Sequence, residues 1–169
     1  MPNQPEPTQH LTHLDEYGNV RMVDVTEKLE TVREAIAKAQ VRMNPQTVRL
    51  IETNQIAKGS VLEVAKIAAI MAAKQTPQII PLCHPLPMTH IDVQFMLDST
   101  QGIISIETRT RTTYKTGVEV EALMAATVAA VTIYDMCKGI DHTITLENAY
   151  VARKSGGKSG VVEFQPHHP

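Results

Sequence analysis

Ile91-Asp92-Val93-Gln94-Phe95-Met96-Leu97-Asp98, then Ser99-Thr100-Gln101-Gly102, then Ile103-Ile104-Ser105-Ile106-Glu107-Thr108-Arg109 is the stretch that decides the fold. Ile91, Val93, Phe95 and Leu97 alternate with Asp92, Gln94 and Asp98, the two-residue period of a strand with one face in water. Ile104, Ile106 and Thr108 repeat the pattern against Ser105, Glu107 and Arg109. Residues 99–102 between them are turn formers, so the stretch reads as an antiparallel hairpin.

Downstream, Lys115-Thr116-Gly117 leads into a long apolar segment, residues 118–136, that reads as a helix, and residues 143–152 form a last strand. Upstream, Ser60 is placed to cap a helix running to about Lys74, with Pro77 soon after. Residues 77–87 carry four prolines and read as a loop. Pro45 opens a shorter helix, with Asn44 as its cap, ending near Thr53. Before it, Ala35, Ala37, Ala39, Val41 and Met43 alternate with Glu34, Ile36, Lys38, Gln40 and Arg42, so residues 34–43 are read as a strand despite their helix-friendly composition.

The order is strand, helices, strand, strand, helix, strand. It predicts an α+β, ferredoxin-like split βαβ sandwich, an antiparallel sheet with helices packed on one face. The last helix is apolar nearly all round between Ala122 and Val131, so it needs cover on more than one side. One sheet covers one side, and neighbouring subunits are expected to supply the rest. Residues 1–12 read as a disordered arm rich in Pro, Gln and Asn, residues 13–160 as a single domain, and residues 161–169 as a disordered tail.

With a net charge of −2 and 4% aromatic residues, the chain offers neither a field for nucleic acid or an anionic membrane nor rings on which bases stack. Cys83 and Cys137 are too few for a disulfide framework. No secretory signal stands at the N-terminus, and Glu119, Glu121, Thr127 and Thr132 interrupt the longest apolar segment. A soluble cytoplasmic protein is expected.

Four polar clusters remain as candidates for chemistry. Asp135 and Lys138 lie three residues apart at the exit of the long helix, within about 6 Å of each other on a helical surface. Lys138 suits the negative end of the helix dipole, and Gly139 is placed to cap it. Asp135 faces that same end at a cost of roughly 0.3–1 kcal/mol. An acid–base pair is one explanation; a solvated ion pair worth about 0.5 kcal/mol or less is the other.

Glu119 and Glu121 stand at the helix entrance, where acids are favoured anyway. Leu82-Cys83-His84-Pro85 occupies the proline-fixed loop, and its thiol and imidazole lack the paired spacing of a zinc site. Lys154-Ser155-Gly156-Gly157-Lys158-Ser159-Gly160 fails as a nucleotide P-loop because Ala152 stands where that motif needs glycine. It reads either as a solvated tail or as a glycine loop whose amides and lysines wrap a phosphate. Glu121 and Asp135 are fourteen residues apart, about 21 Å along a helix at 1.5 Å per residue. Both ends can serve one small site only if one end comes from a neighbouring protomer.

Pro81-Leu82-Cys83-His84-Pro85, Lys115-Thr116-Gly117-Val118-Glu119, Tyr134-Asp135-Met136-Cys137-Lys138 and the 154–160 string together resemble the cyclic pyranopterin monophosphate synthase family of molybdenum cofactor biosynthesis. The resemblance runs in order from about His13 through Gly160. It implies a ferredoxin-like subunit in a homo-hexamer, a trimer of dimers, with sites between subunits. It implies a cyclised GTP derivative as substrate, supplied by a radical S-adenosylmethionine GTP cyclase, and a cyclic phosphate product formed as pyrophosphate leaves. By the resemblance, Asp135, Lys138 and Lys58 are catalytic. Leu82, Cys83, His84, Glu119, Val120 and Glu121 line the pocket, and Arg33, Lys74 and Lys154 hold phosphates. No metal or redox cofactor is called for, with room left for Mg2+ on the substrate triphosphate. Mutual repulsion of clustered lysines is expected to lower the pKa of Lys138. The competing expectation is a non-catalytic ferredoxin-like regulatory module that binds a phosphorylated metabolite.

Overall fold

The computed structural model describes residues 17–165. The expected arm at residues 1–12 and the end of the expected tail, residues 166–169, lie outside them. The elements are β1 (Thr31–Arg42), α1 (Pro45–Glu52), α2 (Val61–Ile79), β2 (Met88–Asp98), β3 (Ile103–Tyr114), α3 (Glu119–Cys137), β4 (Thr145–Ser155) and β5 (Val162–Glu163). One antiparallel sheet carries them in the order β2-β3-β1-β4-β5. The first four strands thus have the βαββαβ connectivity of the ferredoxin-like fold, with β5 added at one edge.

Side-chain alternation on β1 explains the layering. Ala35, Ala37, Ala39 and Val41 are buried beneath the helices. On the opposite face Lys38 pairs with Glu107 and Arg42 with Glu147 in ion pairs open to water. α3 lies on β1, β3 and β4 and packs beside α2. Its alanines at 122, 125, 126, 129 and 130 are buried, and so small a contact face lets the helix approach the strands closely. Thr108 donates to the Ala122 carbonyl at 2.7 Å and Thr110 to the Val118 carbonyl at 3.0 Å, which pins the helix entrance to β3. Those buried hydroxyls would otherwise cost free energy.

Several expectations need correction. β1 begins three residues earlier than residue 34. α2 runs past Lys74 and through Pro77 to Ile79, and Ser60 makes no side-chain cap bond. Pro77 removes one amide donor, but it lies only two residues from the helix end. The buried face of Ala69, Ala72, Ala73 and Thr76 continues to there. The irregular stretch is therefore shorter than the predicted loop. Gly139 takes no left-handed backbone. The chain instead keeps turning, and the N–H groups of Ile140 and Asp141 both donate to the Cys137 carbonyl. The expected tail from residue 161 is structured at Val162–Glu163, which pair with Lys154 and Arg153 of β4.

The cover over α3 is also partly internal, since α2 occupies one flank that had been assigned to neighbouring subunits. Val131 on α3 and Val64, Ile67 and Met71 on α2 are all exposed, so an apolar outer surface survives. By length and composition α3 could cross a membrane, but its packing on three strands makes it the core helix of the fold.

Candidate active site

The predicted site residues fall into two groups, one at each end of α3. At its exit stand Asp135 and Lys138, joined by Lys58 from the turn before α2. Lys138 Nζ lies 2.9 Å from Asp135 Oδ1. Lys58 Nζ donates to the Asp135 main-chain carbonyl at 2.6 Å and reaches its Oδ2 at 3.5 Å. All three side chains are about half exposed. The hydrogen bond from Lys138, then the charges of Lys138 and Lys58, hold the Asp135 carboxyl below its usual range. The same contact holds Lys138 above the ordinary lysine value. The expected lowering of Lys138 is therefore corrected: the nearest charge it meets is a carboxylate, which favours the ammonium.

Asp141 secures this end from beneath. It is buried, and it accepts hydrogen bonds from the N–H of Asn44 and of Thr143 and from the hydroxyls of Thr47 and Thr143, at 2.7–3.0 Å. Burial opposes its charge, but these bonds outweigh burial and bring its pKa to about 2.

At the entrance of α3 a cleft of about 970 Å³ opens between the start of β1, the end of β4 and the loop before the helix. Arg33, Lys115, Glu119, Lys154 and Lys158 line it. Lys154 Nζ is 3.0 Å from Glu119 Oε1. The Glu119 carboxylate folds back over Gly117, where any Cβ would overlap it. Arg33 Nη2 donates to the Lys115 carbonyl at 3.4 Å, and Lys115 Nζ to the Thr26 carbonyl at 2.7 Å. Asp24, Glu27, Glu34 and Lys28 also line the cleft, so five cations face four acids. Arg33, Lys115, Lys154 and Lys158 are the cations available there to a polyphosphate.

Glu121 sits behind this cleft, 3% exposed. Burial first, then the charge of Glu119, raises its pKa to about 7. Cys83 is raised by burial and then by the field of Glu121, which puts the proline loop within electrostatic reach of the helix entrance. His84 Nε2 donates to the Val23 carbonyl at 2.8 Å. Leu82 is half-buried beside them, and Val120 is 37% exposed on the outer side of α3. Lys74 stands exposed on α2, outside the lining of the cleft.

The structure therefore joins Lys58 to Asp135 and Lys138, and Arg33 to Glu119 and Lys154, but it does not bring the two groups together within the chain. Lys115 stands in a motif without a role of its own and Lys158 among the loop lysines offered to a phosphate, and both line the cleft. A cation within two residues of a glycine, in a chain with no general excess of positive charge, is the signal available for them. Among the described residues no three His, Cys, Asp or Glu side chains gather as a metal-ligand set.

The MoaC family model matches residues 22–157. Curated proteins named cyclic pyranopterin monophosphate synthase are similar along nearly their whole length. The one from Pelotomaculum thermopropionicum is 55% identical over 153 residues, 90% of each chain. The one from Heliobacterium modesticaldum is 53% identical, covering 89% of this chain and 94% of its own. That from Roseiflexus sp. is also 53% identical, over 89% and 95%. Similarity at this level, across the same span that holds both polar clusters, shows that the chain belongs to the MoaC family.

Proposed function

We propose that the chain catalyses the reaction for which these relatives are named, the formation of cyclic pyranopterin monophosphate in molybdenum cofactor biosynthesis. In this reading the substrate is 3',8-cyclo-7,8-dihydro-GTP, pyrophosphate is released, and the enzyme is a lyase working by general acid/base catalysis. The observation that carries the reading is Asp135 clamped between Lys58 and Lys138, in a chain so similar to proteins of that name.

The chemistry fits the side chains present. Rearranging purine-derived rings moves protons on and off nitrogen and carbon, which calls for a positioned base and a positioned acid. Asp135, held ionised, serves as the acceptor, and Lys138, held protonated, as the donor. Closing a cyclic phosphate forms one P–O bond to a substrate hydroxyl and breaks another to pyrophosphate. Charge builds on the leaving group, and Arg33, Lys115, Lys154 and Lys158 answer it in the cleft. Any Mg2+ enters on the triphosphate as part of the substrate. Two half-sites about 21 Å apart on one helix suit a homo-oligomer, a hexamer of three dimers, in which the foot of one α3 meets the mouth of another. A cytoplasmic location downstream of a radical S-adenosylmethionine GTP cyclase completes the reading.

Incubating the purified protein with the cyclised GTP substrate and measuring pyrophosphate tests it. Release that depends on Asp135 and Lys138 supports the enzyme. Binding of substrate without release would leave the regulatory module as the function.

A further inference from the structure

The glycine loop after β4 had two readings in the sequence, a solvated tail or a cradle of phosphate-binding amides. Its geometry supports a third. β1 and β4 pair with Glu34 opposite Ser155 and Ala35 opposite Lys154, so the chain beyond Ser155 runs directly over Arg33. Gly156 and Gly157 both take left-handed backbone, with φ of 98° and 69°. A Cβ on Gly156 would strike the main-chain carbonyl of Val32 and come 3.0 Å from Arg33 Cδ. A Cβ on Gly157 would overlap Arg33 Nη1 and lie 2.6 Å from Cζ and 2.9 Å from Nη2. The loop therefore lies across the Arg33 guanidinium at a distance that only a residue without a side chain allows. Across the group, Nη2 is tied to the Lys115 carbonyl at 3.4 Å. Arg33 Nε is buried and has no hydrogen-bond partner among the described residues. A planar cation is thus held on two sides, with one donor unused, at the wall of a cleft that Lys115, Lys154 and Lys158 also line.

We propose that Gly157 is a positioning residue for phosphate recognition, and that it acts through Arg33: its missing side chain, rather than its amide, holds the guanidinium in the cleft. This rests on the reading of the cleft as the phosphate site. The two glycines differ in a telling way. Gly156 is confined by backbone, so substitution there disturbs the strand pair. Gly157 is confined by the far end of a flexible side chain, so substitution there displaces Arg33 and leaves the strands in place.

A double-mutant cycle separates this from direct binding by the loop amide. Wild type, Gly157→Ala, Arg33→Ala and the double variant are titrated with inorganic pyrophosphate by calorimetry, and each is melted. The expected result is roughly tenfold weaker binding in Gly157→Ala, with no further weakening when Arg33 is already alanine. Equal weakening in both backgrounds, or none in the first, overturns the role given to Gly157 while the cleft stands. Pyrophosphate failing to bind the unmodified protein removes the phosphate site itself, and the proposal with it. If Gly157→Ala unfolds the protein, the melts decide. Recovery of folding in the Arg33→Ala background supports the contact, and unfolding in both assigns the glycine to backbone conformation alone.

Discussion

Lys58 Nζ donates to the main-chain carbonyl of Asp135 at 2.6 Å and stands 3.5 Å from its carboxylate, across 77 residues of chain. A lysine from the turn between α1 and α2 thereby closes over the last turn of α3. This fixes a carboxylate at the helix end where the dipole disfavours it. Two ammonium groups overcome that dipole and keep the carboxylate ionised. Removing the acid or its neighbour should therefore leave the fold, which is exposed here, and remove the chemistry. Asp135→Ala and Lys138→Ala are each expected to lower turnover by at least about 10²-fold, with melting temperature nearly unchanged. Steady-state assay of pyrophosphate release checks this, and near-normal rates in both variants would remove their catalytic role.

Neither member of that pair titrates near neutrality, because Asp135 is displaced downward and Lys138 upward. Glu121 does, at about 7. Its folded pKa lies above the unfolded value, so the protonated acid is the form favoured by folding. The contribution of Glu121 to stability is full below about pH 4.3 and is lost as pH rises from there to about 7. Glu121→Gln is expected to match wild type in melting temperature at pH 4 and to exceed it at pH 8. A variant that melts no higher than wild type at pH 8 would place the Glu121 titration elsewhere.

Much of the fold could be read from alternation, and the failures share a cause. β1, β2 and the first half of β3 show apolar residues every second position. The second half of β3 does not: Thr110 and Thr112 face the core with hydroxyls satisfied by the Val118 and Pro87 carbonyls, so counting apolar residues stops too early. β5 is two residues long and has no period to detect. The helix through Pro77 depended on a buried face that single-residue rules ignore. At the site, the Asp135–Lys138 contact follows from helical spacing, whereas the bridge to Lys58 joins distant segments and needs the packed fold. The same holds for Arg33 beneath Gly157. The pKa of Lys138 runs against the expectation from clustered lysines because its nearest charge in space is an acid.

Asp141 braces the last turn of α3, its N–H donating to the Cys137 carbonyl at 3.1 Å. Its carboxylate ties the segment after α3 to the start of α1 through two hydrogen bonds, from the Asn44 N–H and the Thr47 hydroxyl, and accepts two more from Thr143. With a folded pKa of about 2, below the unfolded value, it contributes stability that is present above about pH 4 and lost as pH falls toward 2. Asp141→Ala leaves buried donors unpaired and is expected to cost about 2–4 kcal/mol at pH 7. Urea unfolding at pH 7 measures it; a loss under about 1 kcal/mol would mean that water replaces the carboxylate.

The separation of the two half-sites carries the last prediction. Within one chain the mouth of α3 holds Glu119, Glu121 and the basic cleft, and its foot holds Asp135, Lys138 and Lys58, with about 21 Å of helix between. In the proposed reading a substrate with one pterin-like end and one triphosphate meets both groups, so a working pocket would draw on two protomers. Glu121→Ala damages only the mouth and Asp135→Ala only the foot. Mixed oligomers of the two variants then contain some pockets with an intact mouth from one chain and an intact foot from the other. Activity is expected to reappear on mixing two nearly inactive proteins, to about a quarter of wild type if subunits exchange at random and each pocket uses one mouth and one foot. Subunit exchange is followed by native mass spectrometry on differently tagged chains. Confirmed exchange with no return of activity would confine each pocket to a single protomer, and would require the α3 ends to be bridged within one chain.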